Sequence, residues 1–189
     1  MWVLALGIIL WTGIHLSATL RVGVRDALIA KLGENKYKGL FSLSLLVSIG
    51  IIVIGWRTTD SIHVYDPPLW NSPLMILLVW IAFVLMAASA PANNIKRFVR
   101  HPQLTGVLVW AGAHLLANGD NRSLMLFGGL GLWALVEIFL ISRRDGPWEK
   151  PEAVPFTRDL KIMLIATVVV VVLIMLHPFF TGMPIQMGS

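Results

Sequence analysis

Cysteine is absent from the 189-residue chain. Disulfides, thiolate metal ligands, iron–sulfur clusters and haem attachment through Cys-x-x-Cys-His are therefore excluded. Charge is scarce as well: 13% of residues are Asp, Glu, Lys or Arg, against 57% hydrophobic, with a mean hydropathy of +0.78. No water-soluble surface is built from such a composition, and the chain reads as an integral membrane protein whose first partner is the lipid bilayer. Without thiols, any metal must be held by histidine or oxygen.

Apolar stretches of a length to cross the ~30 Å hydrocarbon layer as helices recur six times. They run from about Trp2 to Leu20, Gly39 to Trp56, Pro73 to Ala90, Gln103 to Asn118, Ser123 to Ser142 and Leu160 to Phe179. The expected fold is an all-α bundle of six transmembrane helices forming one domain over residues 1–189, with no linker. Basic residues are lopsided between the loops. Arg21, Arg25, Lys31, Lys36 and Lys38 follow the first span, Lys96, Arg97 and Arg100 the third, and Arg143, Arg144, Lys150 and Arg158 the fifth; only Arg57 and Arg122 lie on the other side. The positive-inside rule then places both termini on the non-cytoplasmic side, and the first span is expected to be an uncleaved anchor. The net charge of +5 follows from this topology and calls for no nucleic-acid partner.

Between the first two spans, Val24, Leu28, Ile29 and Leu32 fall at helical spacing among charges, so Val22 to Lys38 is expected to be an interfacial amphipathic helix. The polar stretch Arg143 to Asp159 carries Trp148, Pro151 and Pro155 and reads as a tethered surface loop.

One pattern occurs twice: Trp11-Thr12-Gly13-Ile14-His15 in the first span and Trp110-Ala111-Gly112-Ala113-His114 in the fourth. The echo extends back to Gly7 and Gly106, and if it is ancestral the repeat is inverted. His15 shares a helical face with Trp11, Ile8 and Thr19, and His114 shares one with Gln103, Trp110 and Asn118. Gly13 leaves room for another helix or a flat ligand to approach.

Imidazole in hydrocarbon is costly, and two readings explain the pair. Either both are axial ligands of a b-type haem held between helices, or each bonds a neighbouring helix or lines a wet crevice. At ~1.5 Å per residue the two Cα atoms differ in height by roughly 15 Å, although side chains tilting toward the helix N-terminus bring both rings toward the midplane. His101 near the tier of His15 and His177 near that of His114 are alternative ligands, which leaves two separate sites open. Arg100 and Arg21 suit haem propionates or another anionic head group. Glu137, the only acid inside a span, is expected to snorkel toward Arg144, to pair with Arg21 or to accept a proton.

The run Arg100-His101-Pro102-Gln103-Leu104-Thr105-Gly106, with Trp110, Ala113-His114-Leu115 and Asn118-Gly119-Asp120, resembles the NnrU family of bacterial membrane proteins. So does Ile14-His15-Leu16-Ser17-Ala18-Thr19-Leu20-Arg21, and the likeness runs on to Val154-Pro155-Phe156 and His177-Pro178. This resemblance implies a multi-pass protein of the bacterial inner membrane, associated with nitric-oxide and nitrite metabolism. It also implies kinship with the plant zeta-carotene isomerase, a haem b enzyme that shifts a cis double bond in a polyene. That enzyme's haem ligands fall on His15 and His114, whereas its ligand-switching cysteine falls on Ala111.

A more distant likeness is to the isoprenylcysteine and methanethiol methyltransferases, which bind S-adenosylmethionine. Arg100, His101 and Gly106 match their motif, but Arg143-Arg144-Asp145-Gly146-Pro147-Trp148 replaces their paired glutamates. The expected function is haem redox or nitric-oxide chemistry. The open alternatives are a polyene isomerase acting on a hydrophobic small molecule, a methyltransferase, and an assembly partner of a respiratory reductase.

Overall fold

The computed structural model describes residues 1–68 and 72–182. It contains seven α-helices: α1 (Trp2–Leu20), α2 (Val22–Leu32), α3 (Glu34–Thr58), α4 (Ser72–Ala87), α5 (Pro102–Ala117), α6 (Asn121–Asp145) and α7 (Thr157–Thr181). Among the described residues there is no strand beyond a single bridge between His63 and Asp120.

Local chemistry sets the limits. Pro102 opens α5, where a missing N–H costs nothing, and the Asp120 carboxylate caps α6 by accepting from the Arg122 and Ser123 amides. Gly33, at φ 82°, separates α2 from α3, so the expected amphipathic helix Val22 to Lys38 is two pieces. Its second piece continues straight into the apolar run, and α2 itself buries no residue.

Except for α2, the helices close into a ring. α1 packs between α3 and α6, α5 between α6 and α4, and α7 between α4 and α3. Large apolar side chains such as Leu46, Leu132, Leu164 and Met175 point outward and are exposed, while Ser48, Asn93, Ser123, Glu137 and Asp159 are buried. An apolar rim around a polar-spotted interior is what a bilayer requires. Among the described residues four helices (α1, α3, α6 and α7) are long and apolar enough to cross it; α4, of 16 residues, is shorter than the expected third span, and α5, also of 16, equals the expected fourth span in length, displaced by one residue.

Hydrogen bonds define the two ends of the ring. At one end the Met1 amine donates to Thr59 Oγ1 at 2.8 Å, Arg122 donates to the Trp56 and Thr59 carbonyls, and Trp56 Nε1 donates to the Thr181 carbonyl. At the other, Asn94 holds both Val154 and Asp159, and Arg100 Nη2 donates to the Gly146 carbonyl at 2.8 Å. The 146–156 segment is thus tethered as expected. All the strongly basic loops gather at this second end.

Candidate functional site

Both histidines use the same device. His15 Nδ1 lies 3.0 Å from the Trp11 carbonyl, and His114 Nδ1 lies 2.8 Å from the Trp110 carbonyl. A carbonyl only accepts, so Nδ1 carries the proton in each ring and Nε2 keeps its lone pair. Each tryptophan also packs on its own histidine, with ring centroids 4.5 Å apart for Trp11 and His15 and 4.9 Å apart for Trp110 and His114.

Their surroundings differ. His15 packs against Trp133 of α6 at 4.7 Å and Phe41 of α3 at 5.7 Å. His114 stacks on Phe127 of α6 at 4.4 Å and 26°. Both rings therefore lean on α6, but at aromatics six positions apart, about 9 Å along the helix. They occupy two tiers, His15 nearer the basic end and His114 nearer the other. His177 of α7 lies within electrostatic reach of His114, on the same tier.

The remaining expected site residues scatter. His101 is joined through Nε2 to Ser142 Oγ at 2.8 Å. With Arg100, Asp145, Pro147, Trp148 and Glu149 it lines an open cavity of about 610 Å³ at the basic end. Burial, and then the Arg100 charge, hold the His101 pKa below its usual 6.5. Arg21 is exposed at the break between α1 and α2. Asn118 Nδ2 donates to the His114 carbonyl at 2.9 Å and so closes α5.

Two expectations are corrected. Gly13 and Gly112 are exposed, and a β-carbon on either would meet nothing within 4 Å, so neither seats a neighbouring helix. Gly7 and Gly106, at the outer matching positions of the echo, make the close approaches instead, against Ile52 of α3 and Ala82 of α4. Glu137 neither snorkels nor pairs with Arg21. It is 2% exposed, and Oε2 accepts the Thr19 hydroxyl proton at 2.8 Å. Arg144 turns to Asp145 at 2.7 Å.

Trp133 and Phe127 were missed as neighbours of the histidines. One signal pointed to Trp133: it precedes Glu137 by four residues, the spacing that joins Trp11 to His15 and Trp110 to His114. Three tryptophans thus stand one turn ahead of an intramembrane ionisable group.

A family model described as NnrU protein matches residues 3–185. The chain belongs to the NnrU family. The NnrU match runs from α1 through α7 and includes both histidine pentapeptides. No curated protein and no solved structure matches the chain.

Proposed function

We propose that this NnrU-family chain is a six-span protein of the bacterial inner membrane that binds haem b through His15 and His114 and serves nitric-oxide and nitrite metabolism. The observation that carries the haem reading is the shared tautomer: each imidazole is locked by its own helix with Nε2 left for a metal. The donor set fits. Among the described residues no three His, Asp or Glu gather to hold a bare ion, whereas His15 and His114, each with Nε2 left over, are donors that would hold a haem iron. Trp11 and Trp110 pack directly beside the two ligands. Arg21 and Arg100 at the basic end are the partners for propionates.

The six-span topology rests on the helix ends. α4 and α5 run between the same two ends as the longer helices, and at ~1.5 Å per residue each covers about 24 Å, a mismatch that local bilayer thinning accommodates. The basic end is the cytoplasmic one, which leaves Met1, bonded to Thr59, on the other side. One second reading has an observation of its own: His177, within electrostatic reach of His114, replaces His15 as the partner ligand.

Two imidazole ligands supply electron transfer, and an easily lost one supplies an iron open to nitric oxide or to polyene isomerisation. The test is the absorption spectrum of the purified protein, oxidised and reduced. A Soret band that His15→Ala and His114→Ala each abolish or shift, and that His101→Ala leaves unchanged, is expected. No Soret band after expression with ample haem overturns the reading. For the metabolic role, loss of the gene should perturb nitrite and nitric-oxide turnover during growth on nitrate. A cis-polyene conversion that requires reduced haem identifies the isomerase instead, methyl transfer from S-adenosylmethionine that requires His101 the methyltransferase, and co-purification with a reductase the assembly partner.

A further inference from the structure

The seam between α1 and α6 carries a ladder of polar groups through an apolar bundle. From α1 come Trp11, His15 and Thr19, each one turn after the last; from α6 come Trp133 and Glu137 with the same step. Trp133 packs against both Trp11, at 5.5 Å, and His15, at 4.7 Å. Glu137 is joined to Thr19, one turn beyond His15. The ladder is incompletely bonded: Trp11 Nε1, Trp133 Nε1 and Glu137 Oε1 are buried without a hydrogen-bond partner among the described residues. Buried polar atoms of this kind cost about 1–3 kcal/mol each, so three at one seam call for a reason.

Thr19 belongs to two places at once. It donates to Glu137, and with Leu20, Val22, Leu140, Arg143 and Arg144 it lines a crevice of about 380 Å³ at the basic end. The charged and titratable groups facing Glu137 are His15 from α1 and Arg144 from its own helix, both within electrostatic reach; Arg143 stands in the crevice, and His101 at the start of α5 is held by Ser142. A carboxyl group inside a membrane bundle, linked by a hydroxyl to a water-facing crevice, has the layout of a proton relay.

We propose that Glu137 exchanges protons with the basic-side solvent through Thr19 and the crevice, at the foot of the packed Trp11, His15 and Trp133 rings. A proton from bulk water adds to a carboxylate oxygen of Glu137, making the carboxylic acid. It then leaves again through Thr19 to water in the crevice, and the carboxylate is restored. The relay deepens the haem reading by assigning a proton supply to the His15 tier, but it stands on the α1–α6 geometry and its test needs no haem.

The test is infrared spectroscopy of the full-length protein in lipid nanodiscs, titrated with pH and transferred from H2O to D2O. A carboxylic-acid C=O band that titrates, shifts in D2O and disappears in Glu137→Gln is expected. Its deuterium exchange should slow severalfold in Thr19→Val and in Leu140→Trp, which plugs the crevice without touching the hydrogen bond. Identical spectra of wild type and Glu137→Gln at every pH overturn the proposal. So does exchange in Leu140→Trp at the wild-type rate, a result that holds even if Thr19→Val fails to fold. A Soret band missing from a protein that passes this test removes the haem reading and leaves the relay intact.

Discussion

Gly106 of α5 lies so close to Ala82 of α4 that a β-carbon on it would stand 2.6 Å from the Ala82 carbonyl oxygen. Its counterpart Gly7 stands in the same relation to Ile52, 2.7 Å from that side chain and 2.8 Å from its backbone nitrogen. Alanine at either position forces the helix pair apart and should destabilise by about 1–3 kcal/mol. Gly112→Ala has open space before it and replaces a poor helix former, so it should stabilise by about 0.5–1 kcal/mol. Thermal unfolding of the three variants in one detergent checks the contrast, and equal effects at Gly106 and Gly112 would contradict the packing.

The Thr19 hydroxyl is the only bond partner of the Glu137 carboxyl among the described side-chain contacts. Thr19→Val keeps the shape and removes the donor, leaving a buried acid with neither oxygen bonded. The expected loss is about 1–3 kcal/mol. Thr19→Ser keeps the hydroxyl and should recover most of it, which separates the lost bond from lost volume in the same unfolding measurement.

How far the sequence carried these conclusions can be judged from a few residues. α1 ends at Leu20 as expected, because hydropathy stops abruptly at Arg21. The histidine faces were legible too, since residues four apart share a side of a helix whatever surrounds it. Which glycine meets a neighbour was not. In a helix with lipid on one side and protein on the other both faces are apolar, so periodicity does not distinguish Gly7 from Gly13. The inward turn of Glu137 was hidden for a related reason: a donor on another helix, Thr19, decides it, and no spacing within α6 reveals that donor.

Tyr65, from the segment after α3, clasps the end of α5. Its hydroxyl donates to the Leu115 and Asn118 carbonyls, and Gly119 lies so close beneath that a β-carbon there would collide with the Tyr65 carbonyl oxygen. The clasp supports the turn that follows His114. Tyr65→Phe should cost about 0.5–1.5 kcal/mol by leaving helix-end carbonyls without their donor. Gly119→Ala should cost more, because the clasp itself must move. Limited proteolysis at the 59–68 segment, faster in both variants than in wild type, reads the loosening directly.

Acid should weaken the two ends of the bundle in separate windows. At the basic end, burial and the Arg100 charge lower the His101 pKa, so the folded protein resists protonation more than the unfolded chain does. That contribution is complete above the usual 6.5 and is lost as pH falls through the depressed folded value. At the other end, burial pushes the Asp120 carboxyl up, but the Ser123 hydroxyl and amide and the Arg122 charge and amide together push it further down, below the usual 3.8. Its cap therefore holds above 3.8 and fails only as pH drops beneath it. Melting temperature measured against pH should fall in two steps. His101→Gln should flatten the step between about pH 7 and pH 5 and leave the lower one. Asp120→Asn should do the reverse, and a single variant that removes both steps would show that the two ends do not titrate independently.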